Sequence, residues 1–146
     1  MSDFDRESML EMFIYEMNQQ IEQLENNIIQ TDDEYGYSPE KINEIFRAMH
    51  TIKGSSAMML FENISVTAHA IEDLFFLLRE NHIENVDYTK VTDLVLEVVD
   101  FIKQELEKIE DGEEPNGKSD ELISNIKNYI LELKGEKEAK KDNNQV

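Results

Sequence analysis

The stretch FRAMHTIKGSSAMMLFENISVTAHAIEDLFFLL, residues 46–78, decides the fold. Its second half carries Ile64, Ala68, Ile71, Phe75 and Leu78, separated by steps of four, three, four and three. That spacing lines one stripe of an α-helix and leaves polar residues opposite, the pattern of a helix packed on a bundle. The first half completes another helix, in which Ile42, Ile45, Phe46, Met49 and Ile52 repeat in the same way. The two segments, about 39–59 and 63–80, meet at a short turn near Phe61 and predict an antiparallel helical hairpin. Gly54 interrupts the first helix at a cost of roughly 1 kcal/mol against alanine. A tolerated glycine asks for a reason, and His50 and Lys53 stand beside it.

The same periodicity extends outward. Ser38 followed by Pro39 is a helix start, a capping side chain before proline at the first helical position. Upstream, residues about 7–30 place Leu10, Phe13, Ile14, Met17, Ile21, Leu24 and Ile28 on one stripe, and TDDEYGYSP follows as a loop. Downstream, ENHIENV is a loop, and Asp87 reads as an N-cap with Val86 and Val91 placed for a hydrophobic staple. A fourth segment, about 88–110, runs through Val91, Leu94, Val95, Val98, Ile102, Leu106 and Ile109. EDGEEPNGKS is a linker by composition. A shorter helix, about 120–134, carries Leu122, Ile123, Ile126, Ile130 and Leu133, with Gly135 suited to a C-terminal cap. The expected fold is all-α: an up-and-down antiparallel four-helix bundle with a shorter fifth C-terminal helix, which packs on the side or begins a tether. Residues 1–134 form the domain; 135–146, with almost nothing to bury, form a disordered tail or the start of a linker.

Composition narrows the function. The 146 residues have a formal net charge of -19, which argues against nucleic-acid binding and against an anionic lipid surface. There is no cysteine, so disulfides, thiolate zinc sites and cysteine nucleophiles are excluded. The start, MSDFDRES, lacks the basic-then-apolar layout of a signal peptide, and no apolar run approaches the ~20 residues that span a bilayer. A cytoplasmic location is expected.

Helical geometry collects the polar residues of the hairpin. At about 100° per residue, His50 lies roughly 100° from the centre of its apolar stripe, with Lys53 and Gly54 on either side. On the next helix Glu72 lies about 80° and His69 about 140° from the stripe centre. With the turn centred on Phe61, His50 stands level with Glu72 and Lys53 with His69, about 16 Å and 12 Å from the turn. A carboxylate that accepts from Nδ1–H fixes one neutral tautomer and leaves the Nε2 lone pair outward as a nucleophile. Lys53 is placed to steady a phosphoryl group as a point charge, His69 to complete the hydrogen-bond network, and Gly54 to leave room for a docking protein.

Each of these residues has a plainer reading. A lone histidine on a helix border is usually just solvated, Lys53 alone is a surface lysine, Gly54 alone marks fraying, and Glu72 is one acid among 33. His82, in a loop, has only the plain reading. The joint pattern at matched heights is what points to a site. A metal centre fits less well: His69-x-x-Glu72 reverses the Glu-x-x-His order of di-metal bundles, and His-Glu-x-x-His is absent. No Walker-type phosphate loop is present, and Ser55 and Ser56 lack the surroundings of a hydrolase nucleophile.

Through His50-x-x-Lys53-Gly54 and His69-x-x-Glu72, followed by Leu77, Leu78 and Arg79, the sequence resembles the histidine phosphotransfer (HPt) family over most of residues 7–134. Phe46 and Arg47 before the histidine make it similar to the N-terminal phosphotransfer domain of chemotaxis histidine kinases of the CheA type. The resemblance implies that His50 is the phosphoacceptor and Glu72 its hydrogen-bond partner, with support from Lys53 and His69 and a small-residue role for Gly54. It implies a phosphoryl carrier of a two-component system that binds no cofactor itself. A separate kinase domain uses Mg-ATP, and the phosphoryl group passes to an aspartate of a response regulator. The isolated domain is expected to be a monomer that turns over no ATP alone, with no nucleic-acid or membrane partner. The family's usual Gly-Phe before the third helix is here Leu60-Phe61. No kinase, dimerisation or receptor-coupling domain lies within the 146 residues, so a piece cut before a flexible tether is expected. The alternatives are a free-standing phosphorelay carrier and a partner-binding bundle without phosphoryl chemistry.

Overall fold

The computed structural model describes residues 2–29 and 36–143, with the backbone alone at 29 and over 136–143. Five helices follow in order: α1 (Asp3–Ile29), α2 (Pro39–Met58), α3 (Glu62–Asn81), α4 (Tyr88–Glu110) and α5 (Asp120–Asn143). No strand occurs among the described residues, and no helix there is long and apolar enough to cross a membrane. The loop expected over TDDEYGYSP falls mostly outside the described residues, as do positions 144–146 of the expected tail.

The helices begin where local chemistry allows. Ser38 Oγ accepts from the Lys41 amide at 3.2 Å ahead of Pro39. Asp87 Oδ1 accepts from the Lys90 amide at 3.2 Å, with Val91 buried and Val86 partly buried against the core. Both side chains satisfy a first-turn N–H that has no helical partner. α1 packs on α2 and α4, and α3 packs on α2 and α4, which closes a four-helix ring; α5 lies against α3 and α4. Phe13, Met17, Leu24, Met49, Ile71 and Val98 are among the side chains that fill the centre.

The α2–α3 turn is a Schellman motif. The Phe61 amide donates to Ser56 O at 2.9 Å and the Leu60 amide to Ala57 O at 3.1 Å. The motif needs a left-handed residue, and Leu60 supplies it with φ 65°. The end of α4 repeats the same bonds, with Glu113 donating to Lys108 O and Gly112 to Ile109 O, and there the left-handed residue is a glycine. The departure from Gly-Phe thus preserves the turn and places a leucine where its Cβ is crowded. The connection is centred on Leu60, one residue earlier than the sequence suggested.

α5 differs from expectation. It spans 24 residues, more than α2 or α3, and continues through Gly135 to Asn143, so Gly135 does not cap it. Residues 136–141, EKEAKK, are strong helix formers by type, and the cost of one glycine does not stop the helix. The segment read as a linker is also fastened. Glu105, 1% exposed, accepts from the Gly117 amide at 2.6 Å, from Asn63 Nδ2 at 2.7 Å and from Lys108 Nζ at 2.8 Å. Asn63 Nδ2 also donates to Pro115 O and Gly117 O. Thr67 and Ser119 share a hydrogen bond of 2.5 Å between their hydroxyls. Tyr129, absent from the apolar stripe read for α5, is buried and accepts the Asp87 amide at 3.0 Å.

Candidate functional site

α2 presents His50 on its outer edge because Met49 and Ile52 on either side are fully buried and fix the rotation of the helix. The His50 side chain is 63% exposed. Across the seam, Ile71 and Phe75 fix α3 so that Glu72 points back between the two helices, its side chain only 10% exposed. His50 Nδ1 lies 3.2 Å from Glu72 Oε2, and Lys53 Nζ donates to Glu72 Oε1 at 2.9 Å. One carboxylate therefore holds an imidazole with one oxygen and an ammonium with the other. A carboxylate buried without partners would cost several kcal/mol; here both oxygens are occupied. The seam is tied once more where Ser65 Oγ donates to Lys53 O at 3.1 Å.

The structure brings together His50, Lys53 and Glu72. It does not bring His69 to Lys53: His69 Nε2 faces Asp73 Oδ1 at 3.5 Å, one turn along its own helix, and both side chains are more than half exposed. The physical reason is charge. A lysine with four flexible methylenes turns to a carboxylate within reach rather than to an imidazole ring at equal height. Gly54 is exposed, and a Cβ built on it meets no atom within 4 Å. His82 caps the far end of α3 with φ 43°, exposed and apart from these residues. Among the described residues no cluster of three or more His, Cys, Asp or Glu is arranged to hold a metal ion.

Two further residues adjoin the site. Phe46, read as core, is only partly buried, and its ring centroid is 6.3 Å from that of His50. The guanidinium of Arg79 lies over the same ring, 4.1 Å from its centroid. The signal available in the sequence was their place in the two ends of the motif, Phe46-Arg47 and Leu77-Leu78-Arg79.

With Nδ1 on a carboxylate, the neutral imidazole carries its proton there and turns the Nε2 lone pair to solvent. That is the arrangement of a histidine able to form and break a bond at Nε2.

The family model of the Hpt domain matches residues 8–112. The chain is 33% identical over 129 residues to the chemotaxis protein CheA of Borreliella burgdorferi, covering 88% of this chain and 15% of that protein. It is 35% identical over 128 residues to the chemotaxis protein CheA of Treponema pallidum, with the same two shares. It is 35% identical over 99 residues to the chemotaxis protein CheA of Salmonella typhimurium, covering 66% of this chain and 14% of that protein. The chain thus spans about 15% of the length of the curated relatives it matches.

Proposed function

The chain belongs to the Hpt domain family, and from that premise we propose that it is the phosphoryl carrier of a chemotaxis two-component system, with His50 as the phosphorylated residue. The observation that carries this reading is the Glu72 carboxylate shared between His50 Nδ1 and Lys53 Nζ.

The chemistry follows from that sharing. Nε2 attacks the γ-phosphorus of ATP held, with magnesium, by a separate kinase domain. The Nε2–P bond forms as the bond to the bridging oxygen breaks and ADP leaves. Positive charge develops on the imidazole, and Glu72 stabilises it through the Nδ1 proton, which stays in place. Lys53 gives one of its three donors to Glu72 and has others to turn to the phosphoryl oxygens. In the second half, a carboxylate oxygen of a response-regulator aspartate attacks phosphorus. The P–N bond breaks and Nε2 recovers its lone pair. Gly54, with open space above it, leaves clearance for both partners. His69 stands on the rim, outside the shared carboxylate.

In this reading the domain binds no cofactor and turns over no ATP alone; it works as a cytoplasmic monomer between the kinase domain and the receiver of a response regulator. Residues 1–134 carry the function. The test is a two-stage label: incubation with a CheA kinase core and Mg-ATP, then addition of a receiver domain. Phosphoryl label gained in the first stage and lost to the receiver in the second is the expected result. Label that never appears, or that stays when the receiver is added, contradicts the proposal.

A further inference from the structure

Phe46 and Arg79 belong to the motif yet have no task in the chemistry above. Both are built into the wall beside His50. The Phe46 and His50 rings, four residues apart on α2, have centroids 6.3 Å apart and planes 16° from parallel, within the range of offset stacking. Arg79, near the end of α3, sets its guanidinium 4.1 Å from the Phe46 centroid and 5.7 Å from that of Phe76, both within cation–π reach. Arg79 is itself anchored: Nη1 donates to Asn43 Oδ1 at 3.3 Å and Nε to Glu80 Oε1 at 2.9 Å. Phe76 adds a second ring 6.4 Å from Phe46. An arginine with several holds therefore fixes the ring that lies along the imidazole.

The need for such a wall follows from exposure. His50 is 63% exposed, and among the described residues its one hydrogen bond is to Glu72, at 3.2 Å. One bond to a carboxylate is net favourable against water, and it fixes one atom of a solvated ring, leaving rotation about that contact to be limited by a neighbour. We infer that Phe46, braced by Arg79, is a positioning residue that limits rotation of the His50 ring, keeping Nδ1 on Glu72 and Nε2 outward. This inference rests on the reading of His50 as the phosphoacceptor.

The test separates the two. Phosphoramidate, a small donor, reaches Nε2 without any docking protein. The Nε2–P bond forms as the donor's own P–N bond breaks and ammonia leaves, with Nδ1 keeping its proton. For Phe46→Leu, which keeps an apolar side chain but loses the flat ring, the rate of His50 phosphorylation by phosphoramidate falls roughly two- to tenfold. In the same variant the ring-nitrogen NMR shifts of His50 move from those of one tautomer towards an average of both. Phe46→Tyr, which keeps the flat ring, restores rate and tautomer; a merely structural role for Phe46 predicts a change in stability with the His50 tautomer unmoved. Arg79→Gln leaves Phe46 in place, removes the brace and shifts both readouts the same way, and it decides the matter if Phe46→Leu does not fold. Wild-type rate and tautomer in the folded variants overturn the inference. A wild-type protein that takes no phosphoryl group on His50 from the kinase core and Mg-ATP overturns instead the function on which it rests.

Discussion

Glu72 has both carboxylate oxygens occupied, one by His50 and one by Lys53, at a position with 8% exposure. Glu72→Ala removes a hydrogen bond worth about 1.5–3 kcal/mol as the imidazole gains charge, which corresponds to roughly ten- to hundredfold in rate. Phosphorylation kinetics should show that loss while circular dichroism shows unchanged helix content. Leu60 tests the turn. Its left-handed backbone costs roughly 1–2 kcal/mol for a residue with a Cβ, partly offset by the freedom glycine adds to the unfolded chain. Its side chain is 81% exposed, so little packing is lost on substitution. Leu60→Gly should raise stability in urea titrations by about 0.5–1 kcal/mol. The facing of His50 and Glu72 was legible in the sequence because counting residues across a hairpin gives heights. The choice of Lys53 between Glu72 and His69 was not, because a long side chain follows charge rather than register. The left-handed angle at Leu60 left a trace only as a departure from Gly-Phe.

At the scale of elements, the first four helices were legible to within a few residues because each buries one continuous stripe. α5 and the segment before it were not. Its polar composition reads as free linker, yet Glu105, Asn63 and Lys108 fasten it with bonds that no periodicity announces. Gly117 is part of that fastening: a Cβ there would stand 2.6 Å from Glu105 Oε2, and the carboxylate is held by several donors and cannot swing away freely. Gly117→Ala should cost about 1–3 kcal/mol in chemical denaturation, the range for crowding a packed interior. On α2 the outcome reverses. Gly54 has open space, so Gly54→Leu should leave the melting transition intact or raise it by up to about 1 kcal/mol. Phosphoryl transfer from the kinase domain should nevertheless fall, since a leucine there meets the approaching partner. Normal transfer would reduce Gly54 to a local feature of the helix.

Over the whole molecule, the buried knot at Glu105 makes stability depend on pH. Burial pushes the Glu105 carboxyl up, but bonds from Lys108, the Gly117 amide and Asn63 outweigh it, and the net shift is downward from the ordinary 4.5. A depressed carboxyl contributes stability above its unfolded value and loses it as pH falls through its folded one. Glu105→Gln should therefore be less stable than wild type at neutral pH, with the gap closing as pH falls below 4.5. Denaturant titrations of both proteins across that range check the sign. The seam between α2 and α3 holds one exposed imidazole against one buried carboxylate, and the direct test is to locate the phosphoryl group. After incubation with a CheA kinase core and Mg-ATP, tandem mass spectrometry under acid-free conditions should find a single acid-labile phosphoryl group on His50. It should be absent from His50→Gln, whose stability should stay within about 0.5 kcal/mol of wild type because the side chain is a surface one. A phosphoryl group on His69 or His82, an acid-stable phosphate, or label retained in His50→Gln would contradict the assignment.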